Sequence, residues 1–325
     1  MHFSVPSLMS VFVLKVNYYD WDIAAIFIVT CLKMEMFLKG RNRPLYRLVT
    51  ITVILFLCYK TYKCIFGTPP SDAAAQDVVG KIIHRNDKSW TIVNDELCKM
   101  KYEFVLAHLR NPPNTPIFVY SELVDPHISK DIIRTGGFKG NIVNLLLDFL
   151  NRFPTAVFID IGANVGAFSI PIAAKGYRVL AVEWTQSNVM RLCASMKRAD
   201  LTERLTVVYN SMNTQKVSHR REFHEDQNYL IDAIVLDDLL EIYNLEDVVM
   251  KMNFESLEYS ISNGANTFFK RAQVRALMVD FTSQQYSQRG QIIFDFLSFH
   301  GLSADKPEFV NDNDLLESKT VLFKQ

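Results

Sequence analysis

Near the middle of the chain, Asp160, Gly162, Asn164 and Gly166 punctuate VFIDIGANVGAFSI (157–170), and Glu183 ends the apolar run YRVLAVE. A buried strand that ends in an acid and two glycines before helix-forming sequence resumes has two readings. It holds a ligand at a helix N-terminus, or it makes a tight turn with no ligand at all. Gly162 sits where the chain leaves the strand, and a Cβ there would obstruct a ligand lying across the strand end. Gly166 is expected one turn into the helix, where it permits close helix–strand packing. The N–H groups of that first turn, with the positive end of the helix dipole, attract an anionic group. Asp160 can accept a bond from a cationic amine.

A carboxylate and an ammonium on one carbon meet both demands, and the amino-acid end of S-adenosylmethionine is such a group. Glu183 then stands where a carboxylate can receive both hydroxyls of a ribose, the same place as the acid that reads NAD. The glycines discriminate between these ligands. A dinucleotide pyrophosphate requires G-x-G-x-x-G, whereas here Gly162 and Gly166 enclose Ala163, Asn164 and Val165. S-Adenosylmethionine is therefore the expected cofactor, with Asp160, Gly162, Asn164, Gly166, Glu183 and Asn210 around it. Asp237 and Asp238 precede a helical stretch, where N-capping is the expected role and ligand contact the alternative. His224 lies in the polar stretch SHRREFHEDQNYL and reads as a solvated loop histidine, with a catalytic base as the alternative.

The elements that must position these residues alternate regularly. AVFIDI, YRVLAVE, LTVVYN, DAIVLD, VVMKMN, VRALMVDF and TVLFK read as strands. GAFSIPIAAKG, QSNVMRLCASMKRAD and residues 255–270 and 286–299 read as helices between them. Such alternation predicts right-handed crossovers and an α/β fold with a mainly parallel sheet. Asp160, Glu183, Asn210, Asp237 and Asn253 fall at strand ends on one edge, where ligands of such sheets bind. TPIFVY (115–120) and NIVNLLLDFLNRF (141–153) are expected to form a strand and a helix, either capping the sheet entrance or packing into the core.

Bulk composition excludes some partners. The 325 residues are 49% hydrophobic and carry 35 basic and 35 acidic side chains, so no global field attracts nucleic acid. The five cysteines show no zinc-like spacing. Cys98 and Cys193 are expected to be buried thiols, with a disulfide as the alternative in an oxidising compartment.

The amino-terminal part differs from the rest. A weak apolar run (23–32) and the basic residues Lys33, Lys39, Arg41, Arg43 and Arg47 precede a longer run, LVTITVILFLCY (48–59). The expected organisation is an amino-terminal segment (1–44), a transmembrane signal anchor (45–66), a stem (67–90) and a folded domain (91–325). By the positive-inside rule the basic loop is cytosolic, which places the domain in the lumen of the endoplasmic reticulum or Golgi as a single-pass type II protein. The competing reading is a buried hydrophobic helix in a cytosolic enzyme.

FIDIGANVGAFSIPIAAKGYRVLAVE resembles the first two motifs of the FkbM-type S-adenosylmethionine-dependent methyltransferases. IVLDDLL (234–240), VVMKMNFESLEYSISNGA (248–265, against lKiDvEGxExxvLxGa) and VRALMVDF (274–281) extend the likeness along roughly residues 115 to 325. The resemblance implies a Rossmann-like class I methyltransferase fold, an α/β architecture with a mainly parallel seven-stranded sheet and helices on both faces. It also implies O-methylation of a hydroxyl on a glycan or similar acceptor, or on a small molecule. It also implies that Asn253, Glu255 and Glu258 occupy the catalytic segment. The chain departs from the family at Asn253, where the pattern has Asp, and at Ser256, where it has Gly. An amide cannot ionise, so a role as base or metal ligand is weakened there, and a catalytically inactive cofactor-binding protein becomes the alternative. Glu255 and Glu258 also sit where a helix dipole favours acids.

Overall fold

In a computed structural model the chain is described at residues 78–86, 89–93, 95–99, 101, 103–212, 233–281, 288–304 and 319–325. The segment 1–44, the anchor 45–66 and His224 lie outside the described residues. Among the described residues no helix is long and apolar enough to cross a membrane.

The strands are β1 (Ile82–Asn86), β2 (Ser89–Ile92), β3 (Val105–Leu109), β4 (Thr115–Val119), β5 (Val157–Ile161), β6 (Val179–Val182), β7 (Leu205–Val208), β8 (Asp247–Asn253), β9 (Gln273–Phe281) and β10 (Lys319–Lys324). The α-helices are α1 (Ile128–Thr135), α2 (Gly140–Arg152), α3 (Ser169–Ala174), α4 (Gln186–Arg198), α5 (Phe254–Asn263), α6 (Asn266–Arg271) and α7 (Gln288–Phe299). The main sheet has eight strands in the order β10-β9-β8-β5-β6-β7-β1-β2. β5 to β9 run parallel, β1 joins β7 in parallel, and β2 and β10 are antiparallel edges. The mixed α/β architecture with a mostly parallel sheet follows the alternation in the sequence.

β5, β6 and β7 are buried along their whole length because both faces are covered. Side-chain alternation divides the interior into two cores. Phe158, Val179, Ala181, Val207 and Val249 face the layer that includes α2, α3 and α4. Val157, Ile159, Ile161, Leu180, Met250 and Met252 face the other layer, with α5, α6 and α7.

Three expectations change. The sheet has eight strands, because a hairpin upstream of the repeat adds both β1 and β2 beside β7 while one expected strand is absent. That hairpin begins inside the segment read as a stem, so strand structure starts at Ile82 and the stem is correspondingly shorter. DAIVLD is not a strand. Ala233 makes a single bridge to Ser211, and Leu236–Glu241 is a 3-10 helix. There the carboxylate of Asp238 accepts the Val235 N–H and that of Asp237 accepts the N–H groups of Thr267 and Phe268. The Val235–Asp238 bond is of the local kind that competes with a strand ladder. Both aspartates thus accept backbone N–H groups, and Asp238 also pairs with Arg85 at 2.6 Å. The stretch 255–270 is two helices broken at Gly264, where an added Cβ would lie 2.6 Å from Val235 Cγ2.

Candidate functional site

Strand order reverses between β5, which leads to β6 and β7, and β8, which leads to β9. The crevice at their carboxyl ends is the ligand position of an open α/β sheet. A pocket of about 140 Å³ opens there, lined by Ile128, Phe138, Lys139, Gly162, Ala163, Asn164, Ala167, Phe168, Lys251 and Asp280. The connection between α1 and α2 supplies Phe138 and Lys139 to the pocket, whereas β4 and α2, the elements expected at 115–120 and 141–153, pack into the core through Ile117, Val119, Ile142, Leu146 and Leu150.

Asp160 is fully buried beneath the pocket and does not line it. Its Oδ2 accepts the Ser169 hydroxyl at 2.6 Å, and its Oδ1 has the Lys251 ammonium at 3.7 Å with no hydrogen bond. The parallel register places Asp160 directly beside Lys251, which is why an acid and a base from distant segments meet. Burial pushes the carboxyl above its ordinary range, and Lys251 and Ser169 oppose that shift. The amine expected from a ligand is therefore supplied by the chain itself.

Gly162 has φ +75°, and an added Cβ would meet no atom within 4 Å, so its missing side chain opens onto the pocket. The amides of residues 162–166 are satisfied by the chain itself. Gly162 and Ala163 donate to Val182 O, Asn164 to Glu183 Oε2, Val165 to Asn164 Oδ1 and Gly166 to Ala163 O. Turns occupy 164–168, and α3 begins only at Ser169. Asn164 adopts a left-handed conformation (φ 52°), one that Asn tolerates better than most residues. At Gly166 a Cβ would stand 2.5 Å from Leu192 Cδ1 of α4 and 2.9 Å from Ile170 Cγ1 of α3, so the close packing there is of the turn against these helices, not of a helix against a strand.

Glu183 is 4% exposed, and its carboxylate turns inward. Oε2 accepts the Asn164 N–H at 2.8 Å, while Oε1 accepts those of Trp184 at 3.0 Å and Thr185 at 2.7 Å. A carboxylate offers about four acceptor positions, so room remains for about one further donor, not for both ribose hydroxyls. Glu183 principally ties the turn after β5 to the turn after β6. Asn210 is buried and exchanges bonds with the backbone of Arg85, accepting its N–H and donating to its carbonyl. That pairing joins β1 to the chain after β7 and leaves Asn210 a structural role.

The residues expected at the catalytic segment do not line the pocket. Asn253 is the N-cap of α5, its Oδ1 accepting the Ser256 N–H at 2.9 Å. Ser256 is buried. Glu258 forms a two-pronged pair with Arg289 of α7, and Glu255 is half-buried on the first turn of α5. The carboxylate that does reach the pocket is Asp280, register partner of Asn253 on β9, with Lys139 Nζ at 3.5 Å.

Lys139, Lys251 and Asp280 were missed in the sequence reading. Lys251 carried a signal, since it interrupts the buried run of β8 and matches the lysine of the lKiDvEG pattern. Asp280, at the end of an apolar strand, carried a weaker one. Lys139 carried none, because its place depends on how the α1–α2 connection folds.

Cys98 and Cys193 form a disulfide, not the expected pair of thiols. Its reason is tertiary: the 3-10 helix Asp95–Cys98 packs against the middle of α4, where Cys193 is buried.

No family model matches the chain, and no curated protein matches it, so the FkbM likeness rests on the motifs quoted above. Some solved structures are similar to the chain at low identity and low TM-score. Magnesium protoporphyrin IX methyltransferase from Synechocystis PCC 6803, with bound SAM, is 15% identical over 57% of this chain and 77% of that one, with a TM-score of 0.35. Precorrin-6y C5,15-methyltransferase from Geobacter metallireducens GS-15 is 13% identical over 61% and 94% (TM-score 0.37). M. jannaschii TYW2 in complex with AdoMet is 12% identical over 75% and 91% (TM-score 0.37). Likenesses of this degree assign neither ligand nor activity to this chain.

Proposed function

We propose that the chain is an S-adenosylmethionine-dependent O-methyltransferase acting on a hydroxyl of a glycan or similar acceptor in the secretory pathway, tethered through its amino-terminal anchor. One observation carries this reading. The pocket lies where strand order reverses, and its floor is a glycine whose absent side chain leaves open space in front of the β5 end. A Cβ at Gly162 would fill that cradle, so the residues present fit a ligand lying across the strand end. Gly162 and Asn164 would lie against the amino-acid portion, and the remaining acceptor position of Glu183 would take one ribose hydroxyl. When bound, the cofactor supplies a methyl group on an electrophilic sulfonium. The chain's contribution is placement of the acceptor oxygen in line with that methyl and exclusion of water. Phe138 and Phe168 give the pocket its apolar side.

The lumenal placement draws support from the Cys98–Cys193 disulfide, a bond that persists in oxidising compartments. It is tested by protease treatment of sealed microsomes, where a carboxyl-terminal tag should survive until detergent is added. A tag digested without detergent would instead support a cytosolic enzyme on a small molecule.

A second reading has an observation of its own. Asn253, Glu255 and Glu258 do not line the pocket, and Asn253 and Glu258 are engaged elsewhere. This favours a cofactor-binding protein without transfer chemistry. The two readings separate in one experiment on the full-length protein in detergent: calorimetric binding of S-adenosylhomocysteine, followed by transfer of labelled methyl to a panel of glycan and small hydroxyl acceptors. Binding with transfer supports the enzyme, and binding without transfer supports the second reading. No binding at all sinks both.

A further inference from the structure

The edge of the main sheet away from the pocket carries a surplus of positive charge. β1, β5, β6 and β7 run parallel, so the segments that enter them share the amino edge. Before β5 this edge carries Arg152, at the end of α2, and before β6 it carries Lys175 and Arg178. Before β7 come Lys197 and Arg198 from the last turn of α4, and then Arg204. Lys81 precedes β1. All seven residues are exposed, and among the described residues the acids on these segments are Asp200 and Glu203 alone.

The segments form one continuous surface. Arg204 Nη1 donates to Gly176 O at 2.6 Å, and Arg178 Nη2 donates to Thr155 O at 3.4 Å. Thr206 Oγ1 donates to Val78 O at 3.1 Å, and a Cβ at Gly80 would lie 2.1 Å from Thr202 O. Toward β8 and β9 the surplus ends, since Glu246 and Lys270 are both exposed and Arg275 is paired with Asp247. The basic surface is therefore confined to the half of the sheet where β1 begins.

The point of entry identifies the partner. Residues 78–81 feed β1 from this same edge, and the apolar run proposed as the anchor ends at Phe66. The dozen residues from there to Val78 reach at most about 40 Å even when fully extended. A domain tethered so closely meets the bilayer at high effective concentration. A cluster of about four to eight bases close to a spanning segment is the composition that binds anionic headgroups. We infer that the surface at the entrances of β5, β6, β7 and β1 docks on anionic phospholipid headgroups of the membrane that holds the anchor. This rests on the anchor reading above. The pocket, at the opposite edge, then faces away from the bilayer, which favours a soluble acceptor over a lipid of the same membrane.

The test places the full-length protein in bilayer discs of phosphatidylcholine, either pure or with roughly a third phosphatidylglycerol. Acylation of lysines by a water-soluble reagent is followed by mass spectrometry. Lys81, Lys175 and Lys197 should react at least about fivefold more slowly on the anionic discs, the effect of a single base at a charged surface. Lys130, in α1 at the pocket edge, should not change. Salt at about 0.5 M should abolish the difference, because exposed charges are screened. Arg152→Glu with Arg198→Glu, two exposed positions outside the pocket, should abolish it as well, with an unchanged thermal melt. The milder pair Arg152→Gln with Arg198→Gln replaces that variant if it fails to fold. Equal rates on both discs overturn the inference, as does slowing at Lys130 to the same degree. High-salt elution from heparin without slowing on anionic discs would assign the surface to a sulfated polymer and also overturn it. Flotation of the detergent-free protein separates docking from anchoring. If the protein does not float with neutral vesicles, the anchor reading fails, and docking is read from flotation with anionic ones. Flotation that salt reverses then supports the docking surface, and none overturns it.

Discussion

Two neighbouring strands of the sheet, β5 and β8, each run straight into a turn and a helix, yet the two turns do opposite things. After β5 the chain leaves the strand through Gly162 at φ +75°, and the absent side chain becomes the floor of a pocket. After β8 the chain enters α5 at once, with the Asn253 side chain bonded to the Ser256 N–H and Ser256 buried. The first turn ties its amides largely to Val182 and Glu183 at the end of β6 and leaves a space in front of Gly162, while the second is bonded by its own Asn253 side chain. Chemistry-bearing residue types therefore mean different things at the two strand ends. Lys251 joins them, since it belongs to β8 but donates to the carbonyls that end β5.

Substitutions can break this contrast, beginning where the effect should be largest. Gly166→Val places a side chain against Leu192 and Ile170 in a backbone conformation that L-residues avoid. Strain and overpacking together should cost about 2–6 kcal/mol, read as a lowered denaturation midpoint. Loss of less than about 1 kcal/mol would mean that the α3–α4 contact relaxes freely. At Gly162 an added Cβ meets no atom within 4 Å, so the main cost of Gly162→Val is its positive φ, about 1–3 kcal/mol. Binding of S-adenosylhomocysteine, however, should disappear in calorimetry while circular dichroism stays native. Retained binding would show that the ligand does not cross the end of β5.

At the second turn the expected effects are smaller. Asn253→Ala removes an N-cap and should cost about 1 kcal/mol in chemical denaturation. Asn253→Asp keeps the cap and should remain within about 0.5 kcal/mol of the parent. If Asn253→Asp instead raises methyl transfer while stability stays constant, the strand end takes part in chemistry as well as capping, and the contrast between the turns narrows.

The finest readout is pH. Burial raises the Asp160 carboxyl above its ordinary range, so the folded protein holds that proton to higher pH than the unfolded chain does. The resulting stabilisation is complete below the ordinary carboxylate value and is lost as pH rises through the raised one. The melting temperature of the parent relative to Asp160→Asn should therefore fall with rising pH across that window. A gap that stays constant with pH would mean that Lys251 offsets the burial fully.

Much of this molecule was legible before any tertiary contact was known. The apolar runs of 157–161, 179–182, 205–208 and 247–253, the helical stretches between them and the glycine at the end of the first strand all follow from local rules, because periodicity and φ preference belong to single segments. So did the edge of the sheet on which the pocket lies. What local rules could not reach was the direction in which each polar side chain turns. Glu183 and Asn210 stand where expected but turn toward backbone groups that only the assembled sheet brings near them. The β5–β8 register decided that Lys251 would stand beside Asp160, and packing of the 3-10 helix onto α4 decided that Cys98 would reach Cys193. A side chain's type sets the bonds it can make, but its partners are chosen by segments distant in the chain, and that choice exists only once they are packed.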